Sequence, residues 1–145
     1  PVILLDTTCL VYAVGDDPDR RRSCTRLIEA VHRGEIVART TSQVIVEFAH
    51  VRARRRGRAD AAALARDFSD LLGPLESTTA VDTMRALDIW QRHPSAGAFD
   101  ALLLAVAMRT GAEAVVSDDA GLAAIPGVPV MTAAEAVDRF VPAGG

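Results

Sequence analysis

The sequence predicts an α/β domain with a mainly parallel central sheet between layers of helices. Short apolar runs alternate with helical stretches along the whole chain. The runs are continuously apolar, as strands buried on both faces require. At least two of them, 2–5 and 114–117, give way to polar aspartate, threonine or serine, as strands do where they reach the ligand-binding edge of such a sheet.

Val2 to Leu5 is the first strand, and Thr8 to Val14 a short helix. Residues 15–18 turn the chain, and a second helix runs from Pro18 to Arg33, where Gly34 ends it. Ile36 to Ala38 is a brief second strand. Thr40 followed three places later by Gln43 is a capping-box pattern opening a helix that continues to Arg56, before Gly57. Arg58 to Leu72 forms the next helix, closed by Gly73 and Pro74. Leu75 to Val81 is a weak strand, and Asp82 to Arg92 a helix stopped by His93 and Pro94. Phe99 to Arg109, apolar almost all round, is a buried helix ended by Gly111. Ala114 to Ser117 is a strand, Asp119 to Ala124 a short helix, Val128 to Met131 an edge strand, and Thr132 to Phe140 a helix capped by its threonine.

A chain of 145 residues, 50% hydrophobic, has material for one core, so residues 1–141 are expected to form one domain and 142–145 a loose tail. No apolar run approaches the roughly 20 residues of a membrane span, and the chain opens directly on a strand-like run; a cytoplasmic protein is expected. Cys9 and Cys24 sit within helical segments, and half-buried thiols are expected there rather than a disulfide, with no role assigned. All 16 basic residues are arginine, which excludes lysine-dependent chemistry. From Arg20 to Arg58 there are 11 arginines against three glutamates, a local +8 in a chain of net charge −3. Such a segment suits a polyanion, although a solvated arginine face is the more common reason for one.

Four carboxylates occupy costly positions. Asp6 follows the first strand, and Asp118 and Asp119 follow the strand ending at Ser117; neighbouring strands would bring them together, while simple helix capping is the alternative for each. Asp100 lies in the first turn of a helix whose next eight residues are apolar, where a carboxylate needs a hydrogen bond, an opposite charge or a metal. Glu47, with Val44, Phe48 and Val51 around it, lies at the margin of an apolar stripe. Together the four would repel one another unless a hard cation neutralised them. Oxygen-only donors select Mg²⁺ or Mn²⁺, and His32, His50 and His93 lack ligand spacing for zinc. A carboxylate-held metal pair hydrolyses phosphodiesters, so nuclease chemistry follows.

These residues resemble the PIN-domain ribonucleases, and more narrowly the VapC-type toxins of type II toxin-antitoxin systems. The carrying motifs are Val2 to Thr8, Val46-Glu47, Phe99-Asp100 with the apolar residues after it, and Val115 to Asp119; the likeness spans nearly the whole chain. It implies a PIN-like three-layer sandwich, a metal-binding and catalytic quartet of Asp6, Glu47, Asp100 and Asp119, and support from Thr7 and Ser117. It further implies an RNA substrate, Mg²⁺ or Mn²⁺ as cofactor, a homodimer and a cognate antitoxin. The chain departs from the pattern in its adjacent aspartates, which leaves Asp118 as the rival to Asp119, and in Gly121-Leu122, where relatives often carry a charged residue and an aromatic. Arg52, Arg54, Arg55, Arg56 and Arg58, closing the helix of Glu47, are candidates for RNA phosphate contact, although helix-dipole compensation or an antitoxin surface would explain them equally. Phosphotransfer families with strand-end aspartates fit less well, since they use a lysine and this chain has none. A non-catalytic module binding RNA or a partner is the alternative of a different class, and DNA stays open as substrate.

Overall fold

A computed structural model describes residues 1–143, so part of the expected tail, 144 and 145, lies outside the described residues. Four strands, β1 (Val2–Leu5), β2 (Val37–Arg39), β3 (Ala114–Val116) and β4 (Val130–Met131), form one sheet in the order β2-β1-β3-β4. Every pairing is parallel. Ile3, Leu4 and Leu5 are all buried, as are Ala114, Val115 and Val116. Successive strand residues point to opposite faces, so both faces of the central pair are covered.

Among the described residues seven helices provide that cover: α1 (Thr7–Ala13), α2 (Pro18–His32), α3 (Ser42–Leu71), α4 (Ala80–Arg92), α5 (Ala98–Thr110), α6 (Ala120–Ala123) and α7 (Ala133–Phe140). One group packs α1 on α2 and α3, and α2 on α7; another packs α4 on α5, which lies on β3. The break expected at Gly57 is a reversal inside α3, because Gly57 takes φ 83° and ψ 168°, a conformation no side-chain-bearing residue adopts readily. Phe48 and Phe68 then meet edge to face with ring centroids 5.1 Å apart. In a straight helix those positions would be separated by roughly 30 Å, so the helix doubles back and the aromatic pair joins its halves in the core.

Two expectations are corrected. Leu75 to Val81 is no strand: it makes a single bridge, Thr41 to Glu76, and the capping box of Thr79 and Asp82 already starts α4 at Ala80. The box expected at Thr40 and Gln43 does not form. Thr41 caps α3 by accepting from the Val44 amide, while the buried Thr40 hydroxyl donates to the Leu5 carbonyl at 2.7 Å and ties β2 to the end of β1. Among the described residues no helix is long and apolar enough to cross a membrane.

Candidate active site

β1 and β3 are hydrogen-bonded neighbours, and the Asp6 amide donates to the Val116 carbonyl at 3.1 Å, so both strands deliver their polar ends to one point. Asp6 is the N-cap of α1: Oδ1 accepts from the Cys9 amide at 3.1 Å and from the Thr8 hydroxyl at 2.7 Å. Asp119 caps α6 in the same manner, Oδ1 accepting from the Gly121 amide at 2.9 Å. Both aspartates therefore cap helices at the edge where β1 and β3 end. Each cap engages one carboxylate oxygen, Oδ1.

Glu47, half-buried on the first half of α3, accepts a short hydrogen bond from the Thr7 hydroxyl. Asp100 enters from the first turn of α5, beside Gly97. Asp6, Thr7, Glu47 and Asp100 line one cleft with Thr41, Gln43 and Phe99, and its free space of about 10 Å³ is that of a single water-sized sphere. Asp119 does not line this cleft, but it is close enough to help raise the Asp100 carboxyl. Asp118 turns instead to a separate cavity lined by Asp19, Arg20, Ser23, Cys24 and Thr132.

The electrostatics follow from the crowding. Asp100 is pushed up to about 7, first by burial and then by Asp6, Asp119 and Glu47. Burial also raises Asp6, with a contribution from Asp118, against the lowering effect of hydrogen bonds from Ser117, Thr8 and Cys9. Ser117 has a second task, since its oxygen accepts from the Asp119 amide at 3.1 Å.

The donor chemistry fits a hard cation: oxygen only, more than one negative charge, and no histidine or cysteine in the cleft. As the side chains stand, however, no three His, Cys, Asp or Glu residues among those described are arranged to grip an ion. Glu47 is drawn to Thr7, and Asp6 is drawn to its cap.

Sequence reasoning did not single out several supporting residues. Thr8 and Thr40 are local side-chain-to-backbone or side-chain-to-cap partners of a kind common after strands. Gly121 has a tertiary reason to be glycine, because a Cβ there would stand 2.4 Å from the Ser95 carbonyl oxygen. Ser95 Oγ in turn donates to the Gly121 carbonyl at 2.9 Å, clasping the approach to α5 against α6, and so Asp100 near Asp119. The arginines divide. Arg54, Arg55 and Arg56 are exposed just before the Gly57 reversal, roughly 10–14 Å along the helix from Glu47, and Arg58 is exposed just after it. Arg52 is held inside that reversal, its Nε donating to Asp60 at 2.7 Å and its Nη1 to the Val14 carbonyl at 3.2 Å.

The PIN-domain family matches residues 3–128. Ribonuclease VapC7 of Mycobacterium tuberculosis is 45% identical over 127 residues, covering 84% of this chain and 85% of that protein. Two solved structures share the fold. VapBC2 from Rickettsia felis, bound to a DNA fragment from its promoter, superposes with a TM-score of 0.67 at 15% identity, over 90% of this chain and 97% of the other. Mycobacterium tuberculosis VapC20, a sarcin-ricin loop cleaving toxin, gives 0.65 at 24% identity over 78% and 86%.

Proposed function

Because this chain belongs to the PIN-domain family, we propose that it is a metal-dependent endoribonuclease toxin of the VapC type, its residues 1–141 acting as one nuclease domain and a cognate antitoxin restraining it. The observation that supports this most is the convergence of Asp6, Glu47 and Asp100 on one cleft, with Asp119 near enough to act on the Asp100 charge. A cluster of like charges is costly to keep, and neutralisation by a cation gives it a use. Asp6, Glu47, Asp100 and Asp119 would hold Mg²⁺ or Mn²⁺. When bound, such ions lower the pKa of water and stabilise the leaving oxygen of a phosphodiester.

The chain's own groups do the positioning. Thr7 holds Glu47, Thr8 and the Cys9 amide aim Asp6, and Ser117 sets the backbone of Asp119. Arg54, Arg55, Arg56 and Arg58 are suited to RNA phosphates, whereas Arg52 serves by keeping the α3 reversal in place. The similarity to VapC proteins supports the antitoxin as a partner and the cytoplasm as the place of action. For a homodimer, the support is an apolar stripe on α4: Val81, Met84, Leu87 and Trp90 are each about half exposed or more.

Total bacterial RNA incubated with antitoxin-free protein tests the reading. Cuts are expected in Mg²⁺ or Mn²⁺ and none in EDTA. Intact RNA in every condition would return the chain to the alternative of a non-catalytic RNA- or partner-binding module.

A further inference from the structure

Cys9 and Cys24 stand outside the chemistry above, and the register of the α1–α2 hairpin sets them opposite each other. Three contacts fix that register. The Arg20 guanidinium lies 4.8 Å over the Tyr12 ring and bonds its hydroxyl. Thr25 Oγ1 donates to the Ala13 carbonyl at 3.3 Å, and Arg21 Nη1 to the Gly15 carbonyl at 3.4 Å. Cys9 lies one turn before Tyr12 and Cys24 one turn after Arg20, so along facing helices they are the next pair to meet. Cys24 is near enough that it, together with burial, pushes the Cys9 thiol up. Both are buried, 3% and 2% exposed, within the apolar core rather than half-buried as expected from the sequence.

We propose that Cys9 and Cys24 form a dithiol redox site that converts to an intramolecular disulfide, fastening α1 to α2 directly behind Asp6. Cys24 lines a cavity of about 360 Å³ beside Arg20, Ser23 and Asp118, whereas Cys9 does not, so a small-molecule disulfide reaches Cys24 first. The Cys24 thiol loses its proton and attacks one sulfur of the reagent, forming a mixed disulfide and expelling one thiolate. Cys9 then loses its proton and attacks Cys24 Sγ, expelling the second. The two protons go to the two released thiolates; both cysteines are oxidised and the reagent is reduced to two thiols. Because Asp6 accepts from the Cys9 amide at 3.1 Å, a bond at Cys9 anchors the same helical turn that Asp6 caps.

Reduced protein treated with hydroxyethyl disulfide provides the test. Thiols titrated after denaturation should fall from two to none. The intact mass should drop by two hydrogens without an adduct, the melting temperature should rise by roughly 5–10 °C, and dithiothreitol should reverse all three. Cys9→Ala should stop at one hydroxyethyl adduct on Cys24. Two persistent thiols, adducts on both cysteines, or disulfides only between chains would overturn the proposal. The unsubstituted protein decides it alone, and no readout involves RNA, so its failure is distinct from failure of the nuclease reading.

Discussion

Asp100→Asn is expected to slow RNA cleavage by at least about 10²-fold while leaving the melting temperature unchanged or higher. The two effects part because this carboxyl is the most strained charge of the cluster, raised to about 7 by burial and by Asp6, Asp119 and Glu47. Asparagine is nearly isosteric and removes the charge that the neighbouring carboxylates repel. A side chain kept for stability would show the opposite pattern. Asp119→Asn should resemble Asp100→Asn, and Asp118→Asn, whose side chain faces the other cavity, should stay within a few-fold of the parent. Initial cleavage rates beside thermal melts in EDTA check this. Near-normal cleavage by Asp100→Asn, or a large fall in its melting temperature, would remove Asp100 from the site.

The largest loss of stability is expected far from the cleft. Asp82 is 1% exposed, receives Arg109 Nε on both oxygens at 2.9 and 3.0 Å, and completes the capping box of α4 with Thr79. Arg109 also donates to the Ser77 carbonyl at 2.9 Å, so one ion pair ties α4, α5 and the segment before α4 together. Asp82→Ala removes the cap and the pair, at a cost of about 2–4 kcal/mol; Arg109 is 35% exposed, so its orphaned charge still reaches water and the upper range for buried pairs does not apply. Burial opposes ionisation of Asp82, but Arg109 and Thr79 outweigh it and hold the carboxyl below its ordinary 3.8. A depressed carboxylate stabilises fully above its unfolded value and loses that contribution as pH falls through the folded one. The gap between Asp82→Ala and the parent should therefore be widest near neutrality and close below about pH 3.8. Urea titrations at pH 7 and across the acid range measure it, and equal stabilities at pH 7 would refute it.

What the sequence made legible was local. Continuous apolar runs marked β1 and β3, and residues with a one-turn purpose marked helix ends: Gly111 after α5, Thr132 before α7, Gly57 at the reversal. Asp6 and Asp119 could be brought together on paper because adjacent parallel strands deliver their carboxyl ends to one edge, and Asp100 because its helix has little else that is polar. Where partners are distant the signal fades. Asp82 looks like an ordinary first-turn acid, and its partner lies 27 positions away. Thr40 and Thr41 both match a cap by pattern, and only the buried Leu5 carbonyl decides which hydroxyl goes where. Leu75 to Val81 has strand-like residues yet finds only one bridge, since pairing depends on a neighbour with free edge groups. The orientation of Arg52 inward, and of its neighbours outward, is set by the doubling of α3, which a linear pattern does not contain.

Hydrolysis by the proposed nuclease would use water activated at a cation that Asp6, Glu47, Asp100 and Asp119 would hold. Its most direct measurement is the chemistry of the new RNA ends made by the purified protein in Mg²⁺ or Mn²⁺. Ends with 5′-phosphate and 3′-hydroxyl are expected, the products of water attack with the 3′ oxygen leaving. Ends carrying 2′,3′-cyclic phosphate, formed when the RNA's own 2′-hydroxyl attacks and persisting in EDTA, would contradict it.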